Sequence, residues 1–344
     1  MKTAVLQFFS WPDRRIPLEE VYRRAFQRID IMDQNGYDAV WLAEHHFSSF
    51  SICPSIHMMG IEVSARTKNL RIGTGVSLAP FYNPLRLAEE VALLDVLSGG
   101  RVNWGVGRGF AEGEFKAFGV DPRYSYPVFR EHVQAVVGAW TNEQLTFEGE
   151  HFQCRDVEVL PKPAQKPHPP VWLASSSPES MTWAARNGFS IMLDPHSAHS
   201  RIAEKRELYR EILEQHGHSI EGREIPMARL IACAPTRAEA EEIARRGALW
   251  TVRSHRQKGT RAVKTDTRRN LERPELVAPT SLQAAGEESA VARYLDGVIL
   301  YGTPDELVDE IARLREEMFL DYLLCAPLSH GSFVLFTDEV LPRI

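Results

Sequence analysis

The 344-residue chain is 44% apolar and 25% charged, enough apolar material for a large buried core and within the size of one elaborated α/β domain. Its formal net charge of −6 gives no global attraction to nucleic acid or to an acidic membrane surface, so the expected partner is a small molecule. The cysteines Cys53, Cys154, Cys233 and Cys325 form neither a C-x-x-C pair nor a zinc-ligand spacing, and Trp11-Pro12 leads into Asp13-Arg14-Arg15 without a small-residue cleavage site; reduced thiols, no signal segment, no membrane span and a cytoplasmic setting are expected.

In chain order, residues 3–8 read as a strand, and Leu18, Val21, Ala25, Ile29 and Met32 then recur at helical spacing until Gly36, a natural stop. Strands are predicted at 38–42 and 70–74, and a helix at 85–97 with Asn83 as its cap and Pro84 in its first position. Gly99-Gly100 ends that helix before a strand at 101–106. The alternation resumes with strand 171–174, a helix opening at Pro178, strand 190–193, helix 201–216, strand 227–233 and helix 238–248. Thr303-Pro304 opens another helix, and 320–325 is the last strand. About eight strand–helix units predict a TIM (β/α)8 barrel in preference to an open doubly wound sheet, because closure removes both edges. A single domain is expected over residues 1–344, with two insertions: a small β-hairpin at 145–160 and a polar, Arg- and Lys-rich stretch at 251–294, long enough to predict a lid.

Catalytic groups of such a barrel sit where strands end. That rule selects Glu44-His45-His46 after the second strand, Gly107-Arg108-Gly109 after the fourth, and Ser175-Ser176-Ser177 before the helix at Pro178. Neighbours in extended chain point to opposite faces, and neither an H-E-x-x-H nor a facial-triad spacing occurs, so no metal site is expected. The histidines suit proton exchange near neutral pH, or hydrogen bonding to loop backbone. Arg108 between glycines suits a phosphate or carboxylate, though spacing alone equally describes a tight turn with a surface arginine. The serines stand at a helix start that favours an anion, where Ser177 is also an ordinary N-cap.

Gly36-Tyr37-Asp38-Ala39-Val40-Trp41-Leu42-Ala43-Glu44-His45-His46-Phe47, Gly73-Thr74-Gly75-Val76 with Pro80 and Pro84, Leu94-Asp95 through Ser98-Gly99-Gly100-Arg101, Gly107-Arg108-Gly109, residues 174–180, Gly302-Thr303-Pro304 and Val340-Leu341-Pro342 lie in an order and spacing that resemble bacterial luciferase and the wider luciferase-like flavin oxidoreductases. The resemblance implies a TIM barrel that uses reduced FMN and O2 to oxidise a small organic substrate, with the flavin delivered by a separate NAD(P)H:flavin reductase; a homodimer is the expected assembly. By the same resemblance His45 matches the catalytic histidine, with Glu44 beside it. Arg108 and Ser176 match phosphate contacts, with Ser175 and Ser180 in the same cofactor-binding set. Gly75-Val76 falls where the family places a non-proline cis peptide beneath the isoalloxazine, and Glu114 falls near a carboxylate of the flavin site. Bacterial luciferase carries a reactive cysteine just before the arginine; Gly107 stands there in this chain, so no thiol role transfers. Two rivals share the resemblance: a flavin or deazaflavin enzyme that transfers hydride without oxygen, and a nonenzymatic flavin-binding subunit. The joint presence of Glu44, His45 and Arg108 argues against the second.

Overall fold

The computed structural model describes residues 1–257 and 286–344. Its strands are β1 (Lys2–Gln7), β2 (Ala39–Leu42), β3 (Arg71–Thr74), β4 (Ser77–Leu78), β5 (Val102–Gly107), β6 (Leu145–Glu148), β7 (Gln153–Val157), β8 (Val171–Ala174), β9 (Ser190–Met192), β10 (Pro226–Cys233), β11 (Ile299–Gly302) and β12 (Tyr322–Pro327). The main sheet runs in the order β11-β10-β12-β1-β2-β3-β5-β8-β9, with β4 beside β5, and its paired strands are parallel. The helices between them begin with α1 (Leu18–Gln34), α2 (Ile56–Arg66), α3 (Pro84–Leu97), α4 (Glu112–Phe118), α5 (Ser125–Thr141), α6 (Pro178–Arg186), α7 (His199–Gln215) and α8 (Arg237–Gln257). The expected hairpin is present as the antiparallel pair β6 and β7.

Successive residues of a strand face opposite sides of the sheet. Val5, Val40, Ile72, Val106, Leu173 and Leu323 join a cluster with helix residues such as Val21, Ile29, Val91 and Val136, whereas Ala4, Leu6, Trp41, Trp172, Leu230 and Leu324 pack in a second cluster. The second cluster shows the curl of the sheet. In a flat sheet, strands three steps apart stand about 14 Å from one another. Trp41 on β2 and Trp172 on β8 nevertheless meet edge to face with ring centroids 5.4 Å apart. On the other side, the Trp41 Nε1–H donates to the Tyr322 hydroxyl on β12 at 3.3 Å.

Two glycines make room for that indole. A Cβ on Gly73 would lie 2.2 Å from the Trp41 ring, and one on Gly105 would lie 2.0 Å from the Thr74 carbonyl oxygen and 2.9 Å from Trp41 Cζ3. The ends of the sheet also approach each other. Leu193, just past β9, bridges Met227 on β10; its N–H donates to Pro226 O at 2.9 Å, and its carbonyl accepts from Ala228 N at 3.2 Å. The α/β architecture and curled parallel sheet therefore match the expectation, with β11 as an extra strand beside the second half of β10.

The expected lid needs correction at both ends. Residues 251–257 continue α8, and a further helix spans Glu287–Gly297. Ala240, Ala244, Ala248 and Val252 form a buried i,i+4 stripe, and Ala290, Val291 and Tyr294 are buried from the facing helix. The many arginines around position 253 hide this stripe in the sequence. The rest of the expected lid, residues 258–285, lies outside the described residues. Among the described residues no helix is long and apolar enough to cross a membrane.

Candidate active site

The end of β2 delivers Glu44, His45 and His46 into a tightly paired arrangement. Glu44 is 2% exposed, and its Oε1 stands 2.9 Å from His46 Nε2 while its Oε2 accepts the Leu78 N–H at 3.4 Å. Tyr82 also hydrogen-bonds to Glu44, and burial first, then the Glu44 charge, raise its phenol pKa far above the ordinary value. Glu114, near the start of α4, ties the two histidines together. Its Oε1 accepts the His46 backbone N–H at 2.9 Å and stands 3.5 Å from His45 Nδ1. Burial alone would raise the Glu114 pKa, but the His45 imidazole and the His46 N–H outweigh it, and the carboxyl sits below its ordinary value.

Each imidazole occupies its own aromatic surround. His45 stacks on Phe8 at 6.4 Å and meets the edges of Phe50 at 5.0 Å and Phe110 at 6.2 Å. His46 packs against Phe118 at 4.7 Å and Phe81 at 6.3 Å. His45 turns Nδ1 to Glu114, whereas His46 commits Nε2 to Glu44. Glu44 thus sits behind His46, paired with its Nε2.

The ends of β3 and β5 build a ledge. The Gly75–Val76 peptide is cis, as the family resemblance implied, and the Gly75 N–H donates to Leu42 O at 2.8 Å. Val76 reaches over Gly107: a Cβ at position 107 would stand 2.6 Å from Val76 Cγ2 and 3.4 Å from Ala174 Cβ. Hence this chain has no space for a side chain where luciferase carries its cysteine.

Arg108 follows directly. Its Nη1 donates to Ser125 Oγ at 2.9 Å, and its guanidinium lies 4.5 Å from the centroid of the Tyr126 ring. Burial lowers the Arg108 pKa, with Tyr126 opposing that shift; the group remains a cation at neutral pH. The serines after β8 divide their roles. Ser177 caps α6, and Ser180 donates to Ser177 O at 2.8 Å while accepting from Ser175 Oγ at 2.6 Å and Ser177 N at 3.2 Å. Ser175 and Ser180 are consumed by this capping network, whereas the half-buried Ser176 hydroxyl takes no part in it. Because Val106 pairs with Leu173, the Arg108 and Ser176 loops leave adjacent strands.

Sequence reasoning missed several polar groups around these loops. Arg130 on α5 shares the Tyr126 ring with Arg108 and donates to Glu179 at 2.6 Å, joining α5 to the start of α6. Beyond β9, Lys205 Nζ pairs with Asp194 Oδ2 at 2.8 Å and with Ser197 Oγ at 2.9 Å, and Tyr294 holds His196 Nδ1 at 3.0 Å. Burial would raise Asp194, but the Lys205 ammonium outweighs it and drives the carboxyl well below the ordinary range. A preponderance of charge on the exposed side of α7 conceals the 2%-exposed Lys205 in the sequence.

The curled α/β sheet thus gathers a histidine pair, the Val76 ledge and a caged arginine at its strand ends. The luciferase-like monooxygenase signature matches residues 3–321, and the chain belongs to that family. Family members are flavin-dependent monooxygenases or oxidoreductases. The oxygenase component of the flavin-dependent trigonelline monooxygenase of Acinetobacter baylyi is 32% identical over 179 residues, 52% of this chain and 49% of that protein. The chain spans about half the length of the first curated relatives it matches. Among solved structures, monooxygenase RslO1 from Streptomyces bottropensis superposes with a TM-score of 0.83 at 25% identity, covering 99% of both chains. The oxygenating constituent of 3,6-diketocamphane monooxygenase from Pseudomonas putida, in complex with FMN, superposes with a TM-score of 0.79 at 19% identity, covering 100% of this chain and 98% of the other.

Proposed function

We propose that this chain is the oxygenase of a two-component flavin monooxygenase: it takes reduced FMN from a separate NAD(P)H:flavin reductase and, with O2, oxidises a small organic substrate. The observation that carries the reading is the cradle formed where Val76 stands over side-chain-free Gly107, with Arg108 as the next residue. The relative named as an oxygenase component supports the separate reductase. In this reading the strands form one closed eight-stranded barrel, and the approach of Leu193 to Met227 supports closure.

Arg108 and the Ser176 hydroxyl would hold the phosphate, and Val76 would carry one face of the ring system. The bound reduced flavin supplies the electrons that activate O2. His45 would hold or move a proton at Nε2, with Glu114 fixing the ring through Nδ1. Phe8, Phe50 and Phe110 would exclude water around that imidazole. Glu44 and Glu114 act through the histidines, while Ser175 and Ser180 keep the Ser176 turn in place.

We further read one domain over the whole chain and a homodimer. Met58 and Ile61 on α2 and Leu93, Val96 and Leu97 on α3 are exposed apolar residues of two neighbouring helices, which supports self-association through that face. Anaerobic spectral titration with reduced FMN and with a reduced deazaflavin tests the cofactor assignment. Tighter binding of FMN, followed by substrate-dependent oxygen uptake on aeration, is expected. Preference for the deazaflavin would select the hydride-transfer reading, and flavin binding without turnover on any substrate would select the nonenzymatic subunit.

A further inference from the structure

Behind the ledge, two helices and the short strand β4 bring together a serine, a histidine and a carboxylate that are distant in sequence. His57 on α2 stands with Nε2 3.2 Å from Ser77 Oγ and Nδ1 3.0 Å from Glu90 Oε2 on α3. Arg86, one turn earlier on α3, donates to the other Glu90 oxygen at 2.7 Å. Ser77 is fully buried and His57 is 4% exposed. The Tyr82 ring meets the imidazole edge at 5.5 Å.

The order of groups is that of a hydrolytic relay, but a fully buried hydroxyl has no access to a substrate carbonyl. Its output must be positional. The Glu90 carboxyl is held down to about 2, first by its hydrogen bond to His57 and also by Arg86, against its partial burial. An ionised carboxylate is an acceptor only, so His57 Nδ1–H donates to Glu90, and Nε2 on the other side of the ring pairs with the Ser77 hydroxyl. Ser77 is thereby pinned from behind by α2 and α3, and from the side by the pairing of Ser77 with Val106 and Leu78 with Gly107. Val76 lies between this doubly held residue and Gly75, whose N–H is tied to Leu42.

We propose that His57, Ser77 and Glu90 are positioning residues that set the placement of Val76 beneath the flavin. The inference rests on the reading that the Val76 and Gly107 cradle receives the ring system. Without the relay the Ser77 backbone can shift, and Val76, already close against Gly107, moves with it. The flavin environment then changes although none of the three side chains reaches the cofactor.

Ser77→Ala removes the last link, and Glu90→Ala releases the imidazole from a partly exposed site outside the cradle. The visible absorption band of bound FMN, its dissociation constant and the thermal midpoint of the flavin-free protein are measured for both variants and the parent. The expected result is a shifted flavin band and about tenfold weaker FMN binding in both variants, measured on folded protein. Ser77→Thr, which keeps the hydroxyl, should restore the parent band. A lowered midpoint with an unchanged band and affinity in Glu90→Ala would overturn the proposal by reducing the relay to a structural tie. A parent protein that binds no FMN would overturn the cradle reading, and this inference with it, and is distinguished by failing before any variant is made.

Discussion

Replacing Arg108 by alanine should separate recognition of the phosphate from recognition of the ring. The guanidinium is already placed by Ser125 at 2.9 Å and by the Tyr126 ring at 4.5 Å, so binding need not order a mobile side chain. A charge-assisted hydrogen bond contributes about 1.5–3 kcal/mol, which predicts FMN binding about tenfold to 150-fold weaker in Arg108→Ala. Riboflavin has the same ring without the phosphate, so its affinity should be unchanged. Fluorescence titration of parent and variant with both flavins measures the two ratios. Equal losses for FMN and riboflavin, or no loss for either, would remove Arg108 from the phosphate site.

His45→Ala should retain the fold and FMN binding but lower product formation by about 100-fold to 10,000-fold, with oxygen still consumed and released as hydrogen peroxide; paired product and peroxide assays read this directly. If His46→Ala alone shows that loss, the assignment within the pair is reversed. Gly107→Ala should press on Val76, costing about 1–3 kcal/mol and weakening FMN, and Val76→Ala in the same background should recover much of the loss by urea denaturation and titration. Lys205→Met should destabilise the fold by about 1–3 kcal/mol near neutral pH because it leaves the half-buried Asp194 carboxylate without its cation. The pH dependence has a defined sign: the folded-state pKa of Asp194 is depressed, so its contribution is complete above about 3.9 and is lost as pH falls through the folded value. The gap between parent and Lys205→Met should therefore narrow toward acid, as denaturation at two pH values can show.

Local chemistry made much of the strand and helix pattern readable. The α1 stripe of Val21, Ala25, Ile29 and Met32 is buried as its spacing predicts, and Asn83 accepts from the Leu85 and Arg86 N–H groups with Pro84 in the first turn. Thr303 likewise forms a capping box with Glu306 ahead of a helix at Pro304–Met318. Helices α2 and α5 escaped because their buried faces include His57, Gly60 and His132, residues that blur an apolar stripe. Strand-end logic selected His45, Arg108 and Ser176, and Ser177 caps α6 as its place before Pro178 suggests, but spacing alone could not show that Glu114 joins His45. Such pairings depend on the curl of the sheet, which brings positions 45 and 114 together across three different strands and loops. The relay of positions 57, 77 and 90 is invisible for the same reason: each residue is ordinary in its own element, and only packing of α2 and α3 against β4 joins them.

The origin of the oxygen in the product tests the central claim most directly. The protein is supplied with FMN, a generic NAD(P)H:flavin reductase and a panel of small organic substrates under isotopically labelled O2, and the products are weighed by mass spectrometry. The account predicts a product carrying one heavy oxygen atom, formed only when reduced FMN is present. A product that forms without O2, or that carries oxygen from water alone, would contradict it.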